Sequence, residues 1–309
     1  MPQTWWRLQM PCPPELEESL LWKLDCLGIP RLAVRHRPEH PDQRQLLAWL
    51  PAADWPAPER QRLEAALAPL AEPFALTVPP ISWEQEDDED WSRSWKQHWR
   101  PDPVGERLLI LPSWLQVPPD CAQRLVIRMD PGSAFGTGSH PTTRLCLEAL
   151  EALAARGPSD QRPTPGLDGL RVADLGSGSG ILGLAALLLG ATSVAAVDSD
   201  PLAVRATAEN AAACGLQQRL RVRQGSVESL AELLEQRPAD LLLCNILAPV
   251  IEALCPAFDA VLAPGGVGLL SGLLVSQEPR LRRALAAQGW AAALTARQSD
   301  WGLLTIRRA

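Results

Sequence analysis

One stretch constrains this chain more than any other: Leu170–Gly190, which reads LRVADLGSGSGILGLAALLLG. An apolar strand, Leu170–Leu175, runs into a glycine loop, Gly176-Ser-Gly178-Ser-Gly180, and an apolar helix, Ile181–Leu189, follows at once. Glycines packed between a strand and a helix let backbone approach a ligand closely, and the first N–H groups of the helix stand ready to donate. A second short apolar strand, Val194–Val197, ends in Asp198, eighteen residues beyond Gly180. An acid at that position is placed to accept both hydroxyls of a ribose. The strand–loop–helix–strand unit therefore predicts a nucleoside-bearing cofactor.

Two frames fit the glycines. Gly178-x-Gly180-x-x-Gly183 satisfies the dinucleotide fingerprint, a weak signal alone. Asp174-x-Gly176-x-Gly178-x-Gly180 places an acid at the strand end before the first glycine and resembles motif one of the S-adenosylmethionine-dependent methyltransferases. A carboxylate beside the loop suits the cationic amino acid tail of that cofactor and would be badly placed beside two phosphates.

Composition narrows the classes. The 309 residues suit two domains with room for a large core, and 46% apolar with 21% charged residues are globular values. A net charge of −7 argues against a generic nucleic-acid binder and is compatible with a basic protein partner. Seven cysteines without a Cys-x-x-Cys pair fit reduced thiols in a cytoplasmic protein, and four histidines without metal-like spacing predict no metal site. The apolar run Ile181–Leu189 is too short to span a bilayer, and no N-terminal signal is visible. There are twelve tryptophans and no tyrosine, a bias for which the pattern offers no physical reason.

Read in order, residues 1–80 give strand–helix–strand–strand–helix–strand: Trp5–Gln9, Glu15–Leu27, Arg31–Arg37, Arg44–Leu50, Pro58–Leu70 and Ala75–Val78. That order is ferredoxin-like and carries no catalytic constellation, so binding is its default role. Residues 81–100 read as a connecting helix, acidic at its start, with Trp91, Trp95 and Trp99 as an aromatic stripe. From residue 101 to 309, strands alternate with helices and end in a hairpin over Ala291–Ala296 and Gly302–Arg307. This predicts a mostly parallel sheet with an antiparallel edge. Ahead of the helix Thr142–Ala155 lies a glycine-rich loop, in which Phe135-Gly136-Thr137-Gly138 reads as a mobile flap. The Pro- and Gly-rich Gly157–Gly169 reads as a mobile spacer.

Ligands of such sheets bind beyond the C-terminal ends of the strands, where Gly176, Asp198 and Asn245 fall. Asn245 follows the apolar strand Asp240–Cys244. Its amide oxygen can accept a hydrogen bond from a substrate amine and so aim the nitrogen lone pair; a turn duty is the competing reading. Methyl transfer is a one-step in-line displacement, in which alignment and desolvation carry most of the catalysis.

The runs DPGSAFGTGSHPTT (Asp130–Thr143), ADLGSGSGIL (Ala173–Leu182), AVDSDPLAV (Ala196–Val204), CNILAPVI (Cys244–Ile251) and LSGLL (Leu270–Leu274) closely resemble the PrmA family. That resemblance implies a small ferredoxin-like substrate-recognition domain, a connecting helix, and a Rossmann-like methyltransferase domain. It implies S-adenosylmethionine as cofactor, with contacts at Thr143, Gly176, Asp198 and Asn245. It further implies trimethylation of lysine side chains and the N-terminus of ribosomal large-subunit protein eleven. Ser139 stands where the family has threonine, and the spacer is longer than usual. The expected protein is a cytoplasmic monomer with no direct nucleic-acid or membrane contact.

Two other classes stay open at this point. A methyltransferase of another amine or a glutamine amide is one, although amide enzymes usually carry Asn-Pro-Pro-aromatic where this chain has Asn245-Ile246-Leu247-Ala248. A nicotinamide-dependent oxidoreductase using Gly178, Gly180 and Gly183 is the other.

Overall fold

The fold is taken from a computed structural model, which describes residues 4–29, 31–37, 40–86, 99–129, 138–156 and 166–309. The chain divides into two compact units: residues 1–100 with 131–140, and residues 101–130 with 141–309.

In the first unit, β1 (Trp5–Pro11), α1 (Glu17–Cys26), β2 (Leu32–Arg37), β3 (His40–Pro51), α2 (Ala57–Leu67) and β4 (Ser82–Glu86) build a four-stranded sheet of order β2-β3-β1-β4. All its pairings are antiparallel, as the ferredoxin-like reading expects. Alternation assigns the faces. Leu8 and Met10 of β1 and Leu46, Ala48 and Leu50 of β3 pack with Leu20 and Leu24 of α1 and Leu63 and Leu67 of α2. Trp5, Ala33, Leu47 and Trp49 cover the other face, where Trp99 packs and its indole N–H donates to Leu32 O at 2.9 Å. With both faces covered, the run Leu46–Leu50 is apolar throughout.

The last strand of this unit differs from expectation. Ala75–Val78 is not a strand: a 3₁₀ segment, Ala68–Phe74, follows α2 and ends with Ala75 in the left-handed region at φ 54°. Pro79 and Pro80 then remove two ladder donors. The strand comes at Ser82–Glu86, which alternates along β1 with Trp83 opposite Leu8 and Glu84 opposite Arg7, an ion pair. The expected connecting helix therefore does not begin at residue 81, and a boundary at residue 80 would detach the strand that completes the sheet. Residues 87–98 of that expected helix, with Trp91 and Trp95, lie outside the described residues. So do Phe135–Thr137 of the expected flap and residues 157–165 of the spacer.

The second unit opens with a small sheet of β5 (Asp102–Val104), β6 (Leu108–Pro112) and β7 (Leu125–Met129), followed by α3 (Pro141–Arg156). Then come β8 (Arg171–Leu175), α4 (Ile181–Leu188), β9 (Ser193–Asp198), α5 (Pro201–Ala213), β10 (Leu220–Gln224), α6 (Val227–Leu233), β11 (Ala239–Asn245), α7 (Ala248–Leu254), β12 (Leu262–Leu274), α8 (Glu278–Ala287), β13 (Trp290–Gln298) and β14 (Trp301–Arg308). The seven-stranded sheet has the order β10-β9-β8-β11-β12-β14-β13, parallel from β10 to β12, with β14 antiparallel to both its neighbours. Helix α7 stops at Leu254 and continues as 3₁₀ turns over Cys255–Ala260, because Pro256 has no N–H for an α-helical bond. The described end of the spacer is ordered, with Leu167 buried and Gly166 N–H donating to Ala154 O.

Candidate active site

Strand order reverses between β8 and β11, whose neighbours lie on opposite sides, and this opens a crevice at their C-terminal ends. The glycine loop follows β8. Asp198 ends β9 on one side of it, and Asn245 ends β11 on the other. Gly176 and Ser177 donate their N–H groups to Val197 O at 2.9 and 3.0 Å, so the loop leaves the sheet pinned to β9.

Asp198 turns its carboxylate toward the loop: Oδ2 accepts from Gly178 N at 2.9 Å and Oδ1 from Asp200 N at 3.0 Å. Burial pushes its carboxyl above the ordinary range, while the N–H groups of Asp200 and Gly178 pull it back. A carboxylate offers about four lone-pair sites, so it keeps acceptor capacity beyond these bonds, which is the chemistry a ribose diol needs. Asp174 sits beneath the loop, fully buried, with Oδ2 accepting from Gly183 N at 3.1 Å. Burial raises its carboxyl to about 7, against the pull of that N–H and with a further push from Asp198.

Asn245 and Thr143 meet here. Asn245 Nδ2 donates to Thr143 Oγ1 at 3.3 Å, and Thr143, in the first turn of α3, is fully buried. With its NH₂ turned to Thr143, the amide keeps Oδ1 as a hydrogen-bond acceptor. Helix α3 is held in place from its far end, where Glu151 accepts from the N–H groups of Glu106, Arg107 and Leu108 at 3.0, 2.7 and 2.8 Å.

Two features of this site were not read from the sequence. Ile246 is wedged between two glycines: a Cβ on Gly176 would lie 2.3 Å from Ile246 Cγ2, and one on Gly272 would lie 2.2 Å from Ile246 O. Gly272, at φ 82°, belongs to the LSGLL run, and its missing side chain lets β12 close on the turn behind Asn245. Thr207 and Asn210 of α5 reach the glycine loop from the other side. Their signal was two polar residues three apart in an otherwise apolar helix face. Within the first unit, the described end of the glycine-rich loop places Ser139 so that its hydroxyl donates to buried Glu17, itself paired with Arg44.

The donor and acceptor set fits S-adenosylmethionine: a cradle of positive-φ glycines where side chains would intrude, a carboxylate for the ribose, and an amide oxygen one strand away. Among the described residues, no group of His, Cys, Asp and Glu is arranged to hold a metal, and no helix is long and apolar enough to cross a membrane.

The family profile described as Ribosomal protein L11 methyltransferase (PrmA) matches residues 4–309. A Ribosomal protein L11 methyltransferase of a Synechococcus species is 60% identical over 306 residues, 99% of this chain and 98% of that protein. One from Parasynechococcus marenigrum is 62% identical over 300 residues, covering 97% of this chain and 100% of its own length. The crystal structure of a ribosomal protein L11 methylase from Lactobacillus delbrueckii subsp. bulgaricus superposes with a TM-score of 0.58 at 32% identity, over 68% of this chain and 99% of that one. With a match that spans the described chain from its first strand to its last, this protein belongs to the PrmA family of ribosomal protein L11 methyltransferases.

Proposed function

We propose that this chain transfers methyl groups from S-adenosylmethionine to amino groups of ribosomal protein L11, the lysine side chains and the N-terminus. Membership of the family supports the reaction and its protein target. One observation carries the assignment of the chemistry: the Thr143–Asn245 hydrogen bond, which leaves the amide oxygen at the strand end beside the glycine loop. The bound cofactor supplies an electrophilic methyl on a sulfonium.

The residues' own work is positional. Asp198 holds the ribose, the backbone at Gly176 admits the cofactor's tail, and Thr143 closes the site beside Asn245. Asn245 Oδ1 accepts one N–H of a neutral amine, so that the lone pair points along the methyl axis. Asn245 is neutral and takes no proton; the proton lost from the methylated nitrogen goes to water. The first unit, β1 to β4 with its two helices, recognises the protein target, and the net charge of −7 suits a basic one. The protein acts in the cytoplasm as a monomer, without direct contact to nucleic acid.

The test is incubation of the full chain with recombinant L11 and labelled S-adenosylmethionine, followed by peptide mass spectrometry. Label on lysine and N-terminal nitrogens is the expected result. Label confined to glutamine amides, or transfer to free small amines in preference to L11, would overturn the amine or the target assignment respectively.

A further inference from the structure

We infer that Thr207 and Asn210 are positioning residues of the cofactor site, which hold the glycine loop in its binding shape before any ligand arrives. This rests on the reading of Gly176–Gly180 as the loop that receives S-adenosylmethionine. Thr207 Oγ1 donates to Gly178 O at 2.9 Å, Asn210 Nδ2 donates to Ser179 O at 2.9 Å, and Ser177 Oγ lies 3.1 Å from Thr207 Oγ1. All four side chains of this set, Ser177, Ser179, Thr207 and Asn210, are buried.

The bonds close a ring. Gly178 N–H goes to Asp198 Oδ2, and Asp198 Oδ1 accepts from Asp200 N. Asp200 caps α5 by accepting from Leu202 N at 2.8 Å, and α5 returns through Thr207 to Gly178 O. Both backbone groups of Gly178 are thus fixed, its N–H by the ribose-binding carboxylate and its C=O by the helix that this carboxylate's own turn initiates. Glycine backbone has the most freedom to lose, and a ligand that must order such a loop on binding forfeits affinity to do so. A rigid helix donating two buried hydrogen bonds removes that cost. It also sets the spacing between the loop and Asp198, the two contacts that one cofactor must meet together.

The experiment is calorimetric titration of the full chain with S-adenosylmethionine, together with steady-state kinetics. Thr207→Val keeps the shape and deletes the hydroxyl; Thr207→Ser keeps the hydroxyl and deletes the methyl. The expected result for Thr207→Val is a Kd and a cofactor KM raised about tenfold, with kcat at saturating cofactor within about twofold of the parent. Thr207→Ser should return Kd to within about threefold. A residue that serves stability alone would lower the unfolding midpoint of Thr207→Val and leave Kd and KM at their parental values, and that outcome overturns the inference. If Thr207→Val does not fold, Asn210→Ala is read by the same measurements. Asp198→Ala runs beside them. Unchanged affinity in Asp198→Ala overturns the site reading and this inference with it. Weakened affinity there, with parental affinity in a folded Thr207→Val, overturns this inference alone.

Discussion

Asn245 and Thr143, 102 residues apart in the chain, are joined by a hydrogen bond from the amide nitrogen to the hydroxyl oxygen at 3.3 Å. The bond decides which end of the amide faces the crevice. Asn245→Ala removes the acceptor, and turnover should fall by about a hundredfold or more, because the amine is free to rotate off the methyl axis. Asn245→Asp should lower turnover at neutral pH and recover partly as pH rises, since a carboxylate holds the amine as an ammonium with no lone pair to attack. Thr143→Val frees the amide to turn, with an expected loss of about tenfold in kcat, and Thr143→Ser should restore it. A flat pH profile with parental turnover in Asn245→Asp would assign Asn245 to the turn alone.

Asp198 gives the cofactor prediction. Asp198→Ala deletes an acceptor for two ribose hydroxyls, and the expected loss is about 2 kcal/mol, roughly thirtyfold in Kd for S-adenosylmethionine. Titration calorimetry measures it. Parental affinity would take the ribose away from β9.

Gly272 tests the wedge behind Asn245. An alanine there meets the carbonyl of Ile246 at 2.2 Å and must hold φ at 82°, so either the turn moves or the strand does. The expected outcome for Gly272→Ala is a kcat lowered about tenfold in a folded chain, with a lower unfolding midpoint. Parental kcat in the folded variant would show that the turn carrying Asn245 is not set by this contact.

Asp174 makes stability depend on pH. Its carboxyl is raised from 3.8 to about 7, chiefly by burial, so the folded chain binds the proton more tightly than the unfolded one. The stability this proton contributes is complete below the unfolded value, declines as pH rises toward the folded value, and is gone above it. Asp174→Asn keeps an oxygen for Gly183 N–H and never ionises. Its advantage over the parent in urea unfolding should widen by about 3 kcal/mol between about pH 5 and about pH 8, then stay level. An advantage that does not change with pH would place the proton elsewhere.

The sequence alone determined the parts of this protein that are local. Leu170–Leu175 reads as a strand that runs straight into glycines, and the glycines after it read as a loop; Asp198 and Asn245 end apolar strands and so lie at one edge of a parallel sheet. The five runs between Asp130 and Leu274 are specific enough to suggest the family. Tertiary structure decided everything that depends on partners distant in the chain. Ser82–Glu86 is a strand because β1 offers it an edge, although its acids read locally as the start of a helix. The orientation of the Asn245 amide comes from Thr143, the position of Ile246 from Gly176 and Gly272, and the shape of the glycine loop from Thr207 and Asn210. Periodicity and spacing report which face a residue occupies, but a hydrogen bond between side chains set by two different elements exists only once both are packed.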